Sequence, residues 1–427
     1  MSSLIWMVVL LVHVLCQCDS YNSRIKDNTN IDHGIPLHTH VFKESTNYAS
    51  TRGDIEKRNR AHHNHHHEVV FAIQQKNMDE LTTILDDISN PFSPNYGQHW
   101  TRDEVADFTS NQEGCNAVAS YLQLNGASVI SETLAGEYII ARAPVKVWEK
   151  MLDTEFFSFL VTQHGGSSET VIRAEQYSVP RDISKHVTSV LNTIEILDMS
   201  SSPPPRVPFA SKFGKFSSQV EFGYMYPSKL RAYYNMSETM GSVNSTQMIY
   251  ATVGQYYSPK NLADFQAEHG FPVIPAAREY GNHANDTMCV LSQSHCMEAN
   301  LDMEYITTMS PISPTTFWYA DGWFTYWLIT VSNTIDPPKV ISMSYGAVEE
   351  GMSLSVFETF TTLAIKLGTM GVTILASAGD DGASKTSKCG YANLFPASSP
   401  YVLSIGGTMV SHIVFWSEFS FLVVHST

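Results

Sequence analysis

Two acids stand four residues apart in the segment CMEANLDMEYITTMS: Glu298 and Asp302. On a helix that spacing puts both carboxyls on one face. Two close carboxylates do not both ionise easily, so such a pair can share one proton and serve as a tuned base. The plain alternative is two solvated surface acids, which on a helix repel slightly. A third acidic centre lies in LASAGDDGA, where Asp380 and Asp381 stand between Gly379 and Gly382. An Asp kept protonated there could donate a hydrogen bond to a developing oxyanion, with the glycines letting backbone approach closely. Otherwise it is a turn-forming Asp in a G-D-D-G loop.

These residues need elements to hold them. EANLDMEYITTM reads as a helix with Met297, Leu301 and Tyr305 as its buried stripe. MIYATVGQ, FPVIPAA, PTTFWYA, KVISMSYG and VTILASAG read as strands, separated by helix-like LADFQAEHG and SVFETFTTLAIKLGTMG. Continuous apolar strands alternating with helices indicate a parallel sheet covered on both faces. Active residues in such sheets collect where strands end and loops begin. Ser344 and Ser377 fall within strand-like runs and are assigned to the core.

The first half has a different pattern. From residue 68 the order is strand (EVVFAIQ), helix, helix, strand (ASVIS), strand (GEYIIARA), helix (PVKVWEKML) and strand (FFSFLV). Asn77 with Glu80, and Thr101 with Glu104, have capping-box spacing. This order suggests a two-layer antiparallel α+β domain of ferredoxin-like type over 68–198. Residues 199–222, with Pro203 to Pro205, read as an extended, cleavable linker. Residues 19–67 are polar and unpatterned and end in HHNHHH. They read as a disordered linker that gains charge below pH ~6.5, rather than as a metal site. Residues 1–18 read as a secretory signal peptide around the short apolar run Leu4 to Leu15.

The chain has 427 residues and a formal net charge of -16. That balance and the lack of a basic patch argue against a nucleic-acid partner. No segment after the signal is long and apolar enough to span a membrane. Cys289 and Cys296 could close a small loop in an oxidising compartment. Asn235, Asn244 and Asn285 head N-x-S/T sequons. A signal, sequons and cysteines together place the protein in the secretory pathway, lysosomal or extracellular.

NPFSPNYGQHWTRDEV (90–105), IRAEQYSVP (172–180), YYSPKNLADF (256–265), EANLD, ISMSYG (341–346), LASAGDDGA (375–383) and FPASSPYVLSIGGT (395–408) occur in the order found in one family. The chain resembles a prokumamolisin-type proenzyme of the sedolisin, or serine-carboxyl peptidase, family over roughly 68–408. The resemblance implies a subtilisin-like α/β parallel sheet over 223–408, preceded by the α+β activation domain. It implies an acid-acting peptidase zymogen, either an endopeptidase or a tripeptidyl-peptidase, acting on peptide or protein substrates and blocked by its own activation domain. Glu298 matches the family's catalytic glutamate, Asp302 the aspartate that orients it, and Asp380 the oxyanion aspartate, with Asp381 as neighbouring rival. A carboxylate base suits acid, where a histidine would be protonated.

The sequence also departs from the family. No G-T-S nucleophile motif and no G-x-S-x-G elbow occur. Residues 409–427, with Ser411, Ser417 and Ser420, no longer resemble it. The C-terminal loop holding the family's calcium is absent, so no metal is supported by this chain. The expectation is a C-terminally truncated sheet, a Cys389 without its usual partner, and no activity in this form. The alternative is a non-catalytic secreted binding or inhibitory protein that retains the activation domain.

Overall fold

A computed structural model describes residues 40–46, 54–162, 168–196, 225–236, 240–322, 324–349, 352–380 and 393–407. The signal peptide, the 199–222 linker, Asp381, Gly382, Cys389 and the 409–427 tail lie outside the described residues.

The N-terminal part is built on strands β1 (His40–Ser45), β2 (Ile55–Arg60), β3 (His66–Ile73), β4 (Ser128–Glu132), β5 (Tyr138–Pro144), β6 (Phe156–Thr162), β7 (Ser168–Ala174), β8 (Gln176–Pro180) and β9 (Val187–Leu191). Four of them form an antiparallel sheet in the order β4-β5-β3-β9. Read by chain position the sheet has its first and third strands at the centre, as in a ferredoxin-like layer, but its fourth strand is β9 and not the expected FFSFLV, which as β6 pairs with β2 and β7 in a separate sheet. β3 is buried on both faces from Val69 to Ile73. The helix Gln112–Leu124 supplies Cys115, Val118 and Leu122 to the core, and the helix Val145–Met151 supplies Trp148. Trp148 is fully buried and its ring N–H donates to the carbonyl of His67 at 2.9 Å.

Three local readings are corrected here. The stretch read as a linker contributes two strands: β1 pairs with β8 and β2 with β6. β2, sequence IEKRNR, is mostly exposed apart from Ile55, so its charged composition hid its extended backbone. HHNHHH is a turn leading into β3, and His67 is buried with its ring edge against Phe156 at 5.5 Å. Asn77 adopts a left-handed backbone (φ 55°) and caps nothing with its side chain, whose amide donates instead to the carbonyl of Phe108. The Thr101–Glu104 capping box does form.

The second part is a six-stranded sheet from β10 (Gln247–Ala251), β11 (Arg278–Tyr280), β12 (Thr315–Tyr319), β13 (Val340–Met343), β15 (Thr373–Ser377) and β17 (Leu403–Ile405). Its order is β11-β12-β10-β13-β15-β17, and each pairing is parallel. A short antiparallel pair, β14 (Ala347–Val348) and β16 (Leu394–Phe395), lies beside it. Central β10 is buried at every position, which explains its continuous apolar sequence. The helix Met297–Met309 packs against β10, β12 and the helix Pro259–Glu268. Its buried residues are Ala299, Met303, Thr307 and Thr308. The expected stripe is corrected: Met297 is 39% and Leu301 51% exposed, because the helix turns inward the positions two residues further on, Ala299, Met303 and Thr307.

One apolar core runs through both parts. Leu81, Leu85, Tyr138 and Leu191 of the first cluster with Phe360, Leu363 and Leu367 of the helix Leu354–Thr369 in the second. Burial of each such leucine contributes about 1.5–3 kcal/mol. Within this seam Lys366 reaches Glu137 at 2.6 Å and Gln75 at 3.1 Å. Glu137 also accepts from the Thr133 hydroxyl at 2.7 Å and the Ala135 amide at 3.1 Å. Burial alone would raise the Glu137 carboxyl, but the Lys366 ammonium and Thr133 hydroxyl outweigh it and hold it below the ordinary glutamate value. The helix Leu354–Thr369 is thus fixed to the first part by apolar contact and by a buried ion pair.

Candidate active site

The acids expected to do chemistry lie at the carboxyl end of the parallel sheet. Glu298 and Asp302 sit on the first two turns of the helix Met297–Met309. Its start is tied down from two directions. Cys296, which immediately precedes it, is disulfide-bonded to Cys289 as the spacing suggested. Gln255, in the loop after β10, accepts from the Glu298 amide at 3.2 Å and donates to the Ser294 carbonyl at 3.0 Å. Ser258 adds an amide bond to Asn300 Oδ1 at 2.8 Å. The pair therefore stands on a rigid helix end, not on a loop.

Glu298 is half-buried. Burial raises its carboxyl above the ordinary value, the Asp380 charge raises it further, and a hydrogen bond to Ser344 pulls it back. Asp302 is enclosed more completely: its Oδ2 is buried without a partner, and Oδ1 accepts from the Ser344 hydroxyl at 2.8 Å. Burial first, then the Glu298 charge, pushes Asp302 up to about 8. Asp302 is therefore the carboxyl of the pair that holds a proton more tightly.

Asp380 follows β15 and is exposed. It comes after Gly379, whose φ of +92° and whose position 2.2 Å (as a hypothetical Cβ) from the Leu394 side chain leave no room for another residue. The structure thus brings Glu298, Asp302 and Asp380 to one place. It also corrects Ser344, which was assigned to the core. Ser344 directly follows β13 and is half-buried, with its hydroxyl on the acid pair. The signal for it was positional: S-Y-G ends an apolar run, at the edge where such sheets hold their functional groups. Tyr345 beside it is 1% exposed, its hydroxyl is buried without a partner, and its ring stands edge-on to Tyr250 at 5.9 Å. Ser377, also assigned to the core, is corrected too: it is the last residue of β15 and is exposed.

The sequon residues are elsewhere. Asn235 and Asn244 are exposed. Asn285 is half-buried and caps the helix Asp286–Leu291, its Oδ1 accepting from the Met288 amide at 3.1 Å. Among the described residues no three His, Cys, Asp or Glu side chains gather so as to hold a metal ion. Among the same residues no helix is long and apolar enough to cross a membrane.

Fold and site define an α/β domain with a carboxyl pair and a third acid at the end of a parallel sheet, docked on an α+β domain through a shared core. Residues 54–196 match the pro-kumamolisin activation domain. The chain is 28% identical to tripeptidyl-peptidase 1 of Macaca fascicularis over 361 residues, which is 80% of this chain and 61% of that protein. It is 27% identical to physarolisin of Physarum polycephalum over 368 residues, 81% of this chain and 60% of that protein. The chain is thus similar to sedolisin-family proenzymes. It spans about 61% of the length of the curated relatives it matches. Among solved structures, a Pseudomonas sedolisin complexed with pseudo-iodotyrostatin overlaps 44% of this chain and 55% of its own, at 19% identity and a TM-score of 0.35, an overlap that adds nothing to the fold argument.

Proposed function

We propose that the protein is the zymogen of an acid-acting serine-carboxyl peptidase with a subtilisin-like sheet. In this reading Glu298 is the general base, Asp302 the acid that orients and tunes it, and Asp380 the donor to the oxyanion. The observation that carries it is the coupled pair itself. An enclosed Asp302 that keeps its proton lets Glu298 stay available as a base in acid, where a histidine would be charged. The attacking hydroxyl has no assigned residue, because the sequence contains no G-T-S segment. Asp380, exposed three residues after β15, would reach a substrate carbonyl as its proton donor, with Asp381 as the rival.

The N-terminal part would act as the activation domain. The buried seam around Lys366 and Glu137 supports this, since acid weakens that ion pair and cleavage in the 199–222 linker would then free the cleft. Secretion or lysosomal delivery, with glycans on Asn235, Asn244 and Asn285, fits the sequons. A second reading is a non-catalytic binding protein that keeps the activation domain, which residues 54–196 resemble. The test is to assay the purified natural protein at pH 4 on a free-N-terminal and a blocked peptide, together with Glu298→Gln. Turnover that Glu298→Gln abolishes supports the peptidase, and the two peptides separate tripeptide release from internal cleavage. Turnover that survives Glu298→Gln removes Glu298 from its role. No turnover and no labelling by serine-directed reagents supports the binding protein.

A further inference from the structure

We propose that Ser344 is a positioning residue for the acid pair: its hydroxyl bridges Glu298 and Asp302 and relays the proton they share. The inference rests on reading those two acids as the acid–base pair.

The geometry is specific. Ser344 Oγ lies 2.8 Å from Asp302 Oδ1, and hydrogen bonding by the same hydroxyl pulls the Glu298 carboxyl down against its burial. A hydroxyl offers one proton and two lone pairs. While it donates to Asp302 it can accept from a protonated Glu298. In the reversed arrangement it donates to an ionised Glu298 and accepts from a protonated Asp302. Passage between the two breaks the O–H bond on Glu298 and forms one on Oγ, as the original Oγ–H bond breaks and one forms on Asp302 Oδ1. One proton has moved and Ser344 ends neutral. No bulk water is needed for that step.

The surroundings narrow the alternatives. Oδ2 of Asp302 is buried and makes no hydrogen bond, so Oδ1 is the atom through which this carboxyl is held. The groups that face the pair are Tyr345 from the end of β13, Tyr250 from β10 through its contact with Tyr345, and Asp380 from the end of β15, which acts on Glu298. Burial raises both tyrosines far above the working range, so they stay neutral there. Ser344 is the group placed on both carboxyls.

The test follows the carboxyl titrations by 13C NMR with labelled Asp and Glu, with Glu298→Gln and Asp302→Asn assigning the signals. Ser344→Ala removes the donor to the ionised form. The pair should then hold its last proton about tenfold more tightly, an upward shift of about one pH unit. Ser344→Thr keeps the hydroxyl and should restore the original titration. Ser344→Cys, of similar size and a weak donor, should fall between. A folded Ser344→Ala protein with an unmoved titration, or a Ser344→Thr protein that behaves like Ser344→Ala, overturns the proposal. If the titration shifts as expected but Glu298→Gln leaves turnover intact, the relay stands and the catalytic reading fails.

Discussion

Lys366→Met should loosen the seam between the two parts more than any surface change. The ammonium lies 2.6 Å from Glu137, with side chains 5% and 10% exposed. At an effective dielectric constant of about 20 the gross attraction is about 6 kcal/mol, much of it offset by desolvation. The substitution removes the partner but leaves the carboxylate in place, so the loss is that of an uncompensated buried charge, about 3–5 kcal/mol. Urea unfolding at pH 7 measures it. Lys366→Met with Glu137→Gln should recover most of the loss, because neither charge then remains. The Glu137 carboxyl is held below its ordinary value of 4.5, so the pair stabilises fully above that value and fades as pH falls through the folded value. The deficit of Lys366→Met should therefore shrink toward the acid end. A deficit below about 1 kcal/mol at pH 7 would contradict the buried-pair energetics behind this expectation. So would a deficit that does not change with pH.

Further expectations concern the site and the N-terminal part. Asp302, raised to about 8, binds a proton in the folded state that the unfolded chain releases near 3.8. Stability from it is full below 3.8 and is lost as pH rises toward 8, so Asp302→Asn should stabilise the protein at pH 8 and hardly at pH 3.5, read by thermal unfolding. His67 behaves in the opposite way along the pH axis. Burial, and then the Arg173 charge, lowers it to about 4, so stability falls as pH drops from 6.5 to 4, by at most about 3 kcal/mol. His67→Phe should flatten that part of the pH–stability curve. Cys289→Ala with Cys296→Ala opens a bridge between residues seven apart and should cost about 2 kcal/mol, with protection lost first at Met297 to Glu298 in hydrogen exchange. Glu44→Ala removes the acceptor at the first amides of the helix Leu354–Thr369 and should cost about 1 kcal/mol in urea unfolding.

The order of strands and helices was legible because its signals are local. Apolar runs without alternation marked β10, β12, β13 and β15, with β10, buried throughout, the clearest case, whereas FPVIPAA is irregular and the strand β11 after it is exposed. The Thr101–Glu104 box placed its helix start within a residue or two. The i, i+4 spacing was enough to put Glu298 and Asp302 on one face, because helix geometry depends on nothing distant. The 289–296 disulfide was legible as a short loop for the same reason.

Other features depended on what each segment packs against. β2 carries polar residues because one of its faces meets solvent, and its strand character comes from pairing with β6, about 100 residues later. Asn77 has the residue type of a cap, but Phe108 takes its amide and the turn takes a left-handed backbone. The inner face of the helix Met297–Met309 was settled by its seat on β10 and β12, which turned Met297 and Leu301 outward. Ser344 is 42 residues from Asp302 in sequence, and only the parallel crossover that ends β13 beside the helix brings its hydroxyl to 2.8 Å. The residue types and spacing determined which groups could share a proton. The tertiary structure decided how strongly, because the burial that lifts Asp302 and the charge of Asp380 that lifts Glu298 exist only after strands distant in sequence have closed around them.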